Sequence, residues 1–395
     1  MLIKMEVESS YTGKLQVNVV TRENVPVRDA TVTIAASDSP NNIIERLTTN
    51  SSGQTETIEL PAPPIELSLN EANTTRPYTT YNIRIEALGY ETEFIENAEI
   101  LPDVLAIQNV RLTSKNASLT EDIMIPDHTL YGEYPPKVPE EEIKPVNEPG
   151  EIVLSRVVVP EIIVVHDGIP SDSSAQNYYV NYRDYIKNVA SSEIYATWPT
   201  ATIEANVLAI MSFTLNRVYT EWYRNKGYDF TITSSTAYDQ KWIYGRNIFE
   251  SISLVVDNIF DQYLSRPDVR QPILTQYCDG KRVTCPNWLS QWGSCNLGER
   301  GYSTIEIIRY YYGDDMYINT AEQVAGIPSS WPGYDLDIGA SGDKVRQLQE
   351  QLNTVASVYS AIPSLVVDGI YGQNTKDAVR EFQNVFGLPQ TGVTD

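Results

Sequence analysis

The sequence predicts a multidomain α+β protein, with an all-β sandwich first, a mixed helix-and-strand segment in the middle and a small helical module at the end. Three observations carry that reading. Between Gly13 and Leu112 apolar and polar residues alternate with period two, and β-branched residues dominate the apolar set, as half-buried antiparallel strands require. From Tyr182 to Arg217 the period lengthens to that of a helix, twice in succession. Between Gly339 and Gln383 two amphipathic helical stretches are separated by a tight turn at Asp368-Gly369.

Four runs define the sandwich: Leu15-Gln-Val-Asn-Val-Val, Ala30-Thr-Val-Thr-Ile-Ala, Tyr81-Asn-Ile-Arg-Ile-Glu-Ala and Ile107-Gln-Asn-Val-Arg-Leu. Turn residues at Asn50-Ser-Ser-Gly53 and Leu88-Gly-Tyr90 punctuate them. No catalytic constellation accompanies these strands, so residues 1–114 read as a chaperone, spacer or inhibitor of the rest of the chain. Residues 115–150 lose the alternation and become proline- and acid-rich, as in Pro135-Pro-Lys-Val-Pro-Glu-Glu-Glu and Pro145-Val-Asn-Glu-Pro-Gly150. Such composition predicts an exposed, semi-extended linker, the kind of segment that proteases cut.

Residues 151–327 form the central segment. In its first helix Tyr182, Tyr185, Ile186, Val189 and Ala190 describe one buried face, and Glu193 is next on that face. A carboxylate at the inner end of an apolar stripe is poorly solvated; its pKa should rise, and it could hold a proton at neutral pH as a general acid must. A structural Glu that caps a helix or pairs with a buried Arg fits the same position. Pro199 and Thr200 suit the start of a second helix, with Glu204 early in it and Ile203, Val207, Leu208, Met211 and Leu215 as its core stripe. The aromatic and short polar residues between Arg224 and Arg246 suit a glycan groove, in which rings stack on sugars while Asp and Gln bind hydroxyls. Tyr238, Asp239 and Gln240 are the candidates there, although aromatics are also ordinary core residues. A third helix is expected from Asn247 to Leu264, with Asp257 and Asp261 on its outer side.

The chain has 395 residues, and 29 Lys plus Arg against 52 Asp plus Glu give a net charge of −23. That surface repels phosphate backbones and anionic membranes, so no nucleic-acid partner is expected. No apolar run is long enough to span a bilayer, and Met1-Leu-Ile-Lys-Met-Glu-Val-Glu lacks the order of a signal peptide. Cys278, Cys285 and Cys295 lie in one short segment, and Asp279-Gly280-Lys281 could turn the first two toward a disulfide. Free or locally bridged thiols are the first reading. Zinc comes well behind it, because only His128 and His166 are available and neither is near in sequence. No metal and no cofactor are expected.

Several motifs resemble known families. Val25-Pro-Val-Arg-Asp-Ala-Thr-Val, Thr49-Asn-Ser-Ser-Gly53 and Ala87-Leu-Gly-Tyr90-Glu-Thr resemble carboxypeptidase regulatory-like domains, structural signatures without chemistry. Glu193 followed by Trp198-Pro199 and a helix ending Leu215-Asn-Arg217, then Leu289-Ser-Gln-Trp-Gly293 and Gly301-Tyr-Ser-Thr-Ile-Glu-Ile-Ile-Arg-Tyr-Tyr-Tyr-Gly313, resemble the stage II sporulation protein D (LytB-type) lytic transglycosylases. Val159-Pro-Glu-Ile-Ile-Val-Val-His-Asp-Gly168 and the domain order are similar to the SleC-like clostridial spore cortex-lytic enzymes. Residues 339–395, after a linker at 328–338, resemble the three-helix peptidoglycan-binding module, with Leu348, Leu352, Ala378, Val379 and Phe382 as core; the match stops short of the helix that normally closes it.

These resemblances imply a central α+β catalytic domain with Glu193 as acid/base, and Tyr238, Asp239, Gln240, Ser290, Gln291 and Trp292 at the substrate. They imply peptidoglycan glycan strands as partner, a location in spore cortex or cell wall, and a zymogen whose leading region a subtilisin-like protease removes before Val157-Val-Val-Pro-Glu. Two departures weaken the support of Glu193: the Gly-His-Gly expected before Ser290-Gln-Trp-Gly is missing, and Met211 stands where an Arg is expected. A lytic transglycosylase needs one acid/base carboxyl. A muramidase would need a second, for which Asp239 is the candidate. A stem-peptide amidase and a non-catalytic wall-binding component of a phage or injection system stay open.

Overall fold

The computed structural model describes residues 11–115, 123–144, 156–321, 323–324, 335–356 and 359–394. The N-terminal strands are β1 (Thr12–Thr21), β2 (Thr31–Ala36), β3 (Ile43–Thr48), β4 (Ile58–Pro61), β5 (Thr79–Glu86), β6 (Glu93–Ile100), β7 (Leu105–Leu112) and β8 (Ile123–Met124), with a single helical turn, α1 (Glu66–Leu69). The central segment adds β9 (Val158–Val159), β10 (Ile162–His166), β11 (Asn177–Asn181), α2 (Tyr182–Glu193), α3 (Thr200–Tyr219), β12 (Ile232–Thr233), β13 (Ile248–Phe249), α4 (Glu250–Ile259), β14 (Gln262–Ser265), β15 (Tyr277–Cys278), β16 (Leu289–Ser290), α5 (Gln291–Glu299), α6 (Thr304–Tyr312), β17 (Tyr317–Thr320) and β18 (Gln323–Val324). Two helices, α7 (Asp343–Ala356) and α8 (Gln373–Val385), make up the C-terminal module. The protein is therefore of mixed α+β class, and no helix among the described residues is long and apolar enough to cross a membrane.

The expected strand runs coincide with β1, β2, β5 and β7. One sheet has the order β13-β7-β1-β4 and the other β3-β2-β5-β6-β8. Pairing is not antiparallel throughout: β7 leaves β6 of the opposite sheet, turns at Leu101–Val104 and joins β1 in parallel over Lys14↔Leu105 to Thr21↔Leu112. The third expected helix is shorter than its periodicity suggests. Ile248 and Phe249 pair with Ile107 and Ala106 of β7, and Gln262–Ser265 pair with β17. Both ends are rich in β-branched and aromatic residues that suit a strand equally well, and open sheet edges capture them. Nor is Asp257 left outside: it accepts from Lys187 at 2.7 Å and Arg183 at 3.4 Å.

Strand β13 joins the two halves of the molecule. Leu15, Ile34, Ile85 and Ala106 belong to the same continuous apolar core as Tyr185, Ile210, Phe249 and Ile307. The seam also carries a buried ion pair, Arg246 to Glu99 at 2.8 Å, and reciprocal bonds between Asn247 and the Glu99 backbone at 3.0 and 2.9 Å. Burial pushes the Glu99 carboxyl above its ordinary range although Arg246 opposes it, and Glu99 Oε1 and Arg246 Nη1 are buried without partners, so the surrounding apolar core must offset the cost of this pair.

Residues 123–144 correct the expectation of an exposed tether. Ile123 and Met124 pair with Ile95 and Glu96 of β6, and His128, Leu130, Tyr134, Lys137 and Lys144 are buried. The segment is a strap laid across the central domain, tied by backbone bonds Val138 N–H to Ala237 O (2.7 Å) and Leu274 N–H to Glu142 O (3.0 Å). The stretch 145–155, most of the expected processing region, lies outside the described residues.

The C-terminal module has its own core of Leu336, Val345, Leu352, Tyr371, Ala378 and Val379, with Leu348 and Phe382 packed against it. Leu336 pairs with Thr394, so the module begins a few residues before 339. It rests on the sandwich through the Ser341 backbone, whose N–H donates to Gln54 Oε1 at 2.7 Å, and on α4 through Arg346 to Glu250 at 2.7 Å.

Candidate active site

Glu193 is the last residue of α2 and is 0% exposed. The apolar stripe Tyr182, Tyr185, Ile186, Val189 and Ala190 is buried, and so are the polar residues Lys187, Asn188, Ser191 and Ser192, so the last two turns of α2 are enclosed on every side. One carboxylate oxygen, Oε1, accepts the Lys241 backbone N–H at 2.7 Å. Oε2 is buried with the Tyr277 hydroxyl as its neighbour, close enough for Tyr277 to favour the charged carboxylate by hydrogen bonding. Burial pushes the Glu193 carboxyl above its ordinary range, with Lys137, Tyr277 and Lys241 opposing the shift. The negative end of the α2 dipole acts in the same direction as burial. Burial likewise drives the Tyr277 hydroxyl well above its ordinary range, so it stays protonated.

Loop 239–247 meets α2 through paired bonds. Asn188 Oδ1 accepts from Ile243 N–H at 2.9 Å, and its Nδ2 donates to Ile243 O at 2.7 Å. These bonds hold the loop so that the Lys241 N–H faces Glu193. Tyr277 arrives from the other side on β15, which pairs in parallel with β16 and so ties the Ser290-Gln-Trp-Gly segment to the carboxylate.

The strap passes beside Tyr277. Lys137 sits 4.5 Å from the Tyr277 ring centroid and donates to Asp239 O at 2.6 Å. Burial lowers its ammonium pKa, while the charges of Glu193 and Asp239 favour its ionisation. The buried Tyr134 lies near enough for the Glu193 charge to raise its hydroxyl further, after burial itself. Glu140 latches this segment: Arg217 Nη2 and Nη1 reach it at 2.5 and 3.0 Å, and Lys144 at 2.6 Å. A second clasp is Arg282, which donates to Thr129 O at 2.7 Å and to Gly132 O. Asp279 orients it at 2.9 Å inside a loop closed by the Cys278–Cys285 disulfide, Cα–Cα 5.7 Å.

The other expected site residues sit in more varied surroundings. Asp239 is 0% exposed and fully engaged: Oδ1 with Arg217 Nε at 2.7 Å, Oδ2 with Tyr223 OH at 2.6 Å, Thr233 N–H at 2.9 Å and Thr233 Oγ1 at 2.7 Å. Gln240 binds α2 to α3 through Tyr185 OH (3.0 Å), Thr214 Oγ1 (2.9 Å) and Ile210 O (3.0 Å). Tyr238 is half-buried, and its carbonyl accepts from Arg217 at 3.2 Å. Ser290 caps α5 by accepting the Gly293 N–H at 3.0 Å. Trp292 packs against Trp198 and Tyr195 at 5.3 and 6.0 Å, and its Nε1 and the Gln291 amide are buried without partners. Met211 fills core space within α3. The residues around Glu193 that pattern reading misses are Tyr134, Lys137, Tyr277 and the Lys241 N–H. Each comes from a segment without periodicity, and none has a local signal.

Residues 341–395 match the peptidoglycan-binding domain family. No curated protein matches the chain. Among solved structures, the Bacillus anthracis TIE protein aligns at 13% identity over 26% of this chain and 17% of its own, TM-score 0.19. The 3-chlorocatechol 1,2-dioxygenase of Rhodococcus opacus 1CP aligns at 15% identity over 26% of this chain and 54% of its own, TM-score 0.17. A type II cohesin–X-dockerin complex of Acetivibrio cellulolyticus aligns at 16%, over 27% and 61%, TM-score 0.18. This chain thus spans less than two thirds of each, and such low scores carry no argument. The family match does: the last segment is a peptidoglycan-binding domain, and the chain that bears it is a cell-wall-associated protein.

Proposed function

We propose that this protein is a peptidoglycan-lytic enzyme, a lytic transglycosylase of the spore cortex that cuts the glycan strand at Glu193 and is made as a zymogen activated by proteolysis at germination. The observation that carries the reading is a fully buried carboxyl with a raised pKa beside the Tyr277 hydroxyl, on a chain that carries a peptidoglycan-binding domain; Glu99, which is also buried and raised, is instead paired with Arg246. Protonated Glu193 gives its proton to the glycosidic oxygen as the C–O bond breaks. The resulting carboxylate then takes the proton of the sugar's own C6 hydroxyl, whose oxygen closes on the anomeric carbon to leave a 1,6-anhydro end. Tyr277 is placed to donate to the carboxylate while it is charged.

The engagement of both Asp239 oxygens argues against a hydrolytic muramidase that would use Asp239 as its second carboxylate. The strap supports the zymogen reading, because Glu193 is fully buried in the uncut chain and Lys137 of the strap packs on the ring of its neighbour Tyr277. Cutting between Glu140 and Val158, by a subtilisin-like protease, frees one end of the strap while the sandwich stays in place through the shared core. The test is a specific protease site inserted at 145–155, with wall lysis assayed before and after cleavage. Lysis should appear on cleavage and be lost in Glu193→Gln; equal activity before and after removes the zymogen reading.

A further inference from the structure

We propose that Tyr178, Trp242 and Tyr244 form a sugar-stacking subsite that takes the apolar face of an N-acetylhexosamine ring in the glycan strand, on the loop that also meets the Glu193 carboxyl. The proposal rests on the reading that the substrate is a glycan, but not on Glu193 being the catalyst. Tyr178 and Tyr244 stack at 4.8 Å with 30° between their planes, and Tyr178 lies 5.1 Å from Trp242. Trp242 is the buried base of the stack, Tyr178 is half-buried and Tyr244 is 40% exposed.

The loop that carries these rings is pinned along its length. Lys241 N–H holds Glu193, Asn188 holds both polar groups of Ile243, and Gly245 O accepts Gln108 Nε2 at 2.9 Å. Gly245 has φ +69°, a conformation that favours glycine, and Arg246 is locked by Glu99. An exposed aromatic ring on so constrained a loop is pre-organised, and a ligand binding it loses little ordering entropy. Lys241 to Tyr244 spans at most about 11 Å of chain, which keeps the stack beside the carboxylate.

The occupant follows from charge and from the attached domain. Aromatic faces stack on sugars or on nucleobases, and a net charge of −23 repels nucleic acid. The domain that the occupant's class is taken from, the peptidoglycan-binding domain, rests on α4 through Arg346 to Glu250.

The experiment titrates the full-length Glu193→Gln chain with a short chitin oligosaccharide and follows tryptophan fluorescence. Residues 341–395 contain no Trp, and Trp331, which stands just before the module, is replaced by Phe in the parent chain so that binding to the module is silent. A saturable change is expected, weakened about tenfold by Tyr244→Ala and by Tyr178→Ala and retained within about twofold by Tyr244→Phe. Tyr179 is 75% exposed and alternates to the other side of its strand, so Tyr179→Ala should bind normally. No signal in the parent chain, or unchanged affinity in folded Tyr244→Ala, overturns the proposal. Because turnover is not measured, a chain that binds sugar here but never cleaves it would instead overturn the enzymatic reading alone.

Discussion

The Glu140 latch gives the sharpest perturbation of the strap. In Glu140→Gln the side chain keeps its shape and one acceptor but loses the charge that Arg217, 0% exposed at its side chain, meets at 2.5 and 3.0 Å. Orphaning a buried charge altogether costs about 3–5 kcal/mol. Arg217 keeps its bond to Asp239, so the loss should be smaller, about 2 kcal/mol, or roughly a 30-fold rise in strap opening. Hydrogen exchange reads this directly at the Val138, Glu140 and Leu274 amides, which are bonded to Ala237 O, Gln276 Oε1 and Glu142 O. Exchange should accelerate at these amides while those of β1 and β7 keep their protection. Burial alone would raise the Glu140 carboxyl; Arg217 and Lys144 outweigh it and hold it below the ordinary range. The latch is thus fully present above the unfolded Glu value of about 4.3 and is lost as pH falls through the lower folded value. Unchanged protection in the variant, or an even loss across the whole core, would refute the latch.

Three further outcomes are expected. The raised Glu193 carboxyl makes the folded state bind its proton more tightly, so its contribution to stability falls as pH rises from about 4.3 through the folded value. Melting curves of Glu193→Gln should therefore gain on the parent chain across that window and then level off, and a difference independent of pH would contradict the burial argument. Removing residues 335–395 should weaken retention on insoluble peptidoglycan while sparing turnover of soluble fragments, because a tethered second site raises local concentration; equal retention would count against it. After cleavage at 145–155 the two pieces should co-elute on size exclusion under native conditions, since one apolar core spans the seam at β13, and separate elution would show that the core does not hold them.

The sandwich strands are legible because period two is a local pattern, and α2 and α3 because their stripes are long. The burial of Glu193 is legible for the same reason: it sits where the Tyr182-to-Ala190 stripe ends. The ends of the third helix are not, because Ile248-Phe249 and Tyr263-Leu264 suit helix or strand, and sheet edges elsewhere in the chain decide. The strap is hidden more deeply. Glu140 and Lys137 meet their partners 77 and 102 positions away, so a proline- and acid-rich stretch looks solvated in any local window. Asp239 looks like a sugar ligand among aromatics until Arg217 is seen to occupy it. Tyr277 gives no local sign of its position beside Glu193.

The central claim is that one carboxyl, Glu193, breaks the glycan strand without water. End-group analysis of peptidoglycan digested by the protease-cleaved chain tests it most directly, by mass spectrometry of the released glycan fragments. The account predicts 1,6-anhydro ends, lighter by one water than hydrolytic products, and none from Glu193→Gln. Reducing ends in their place, or anhydro ends that persist in Glu193→Gln, would contradict it.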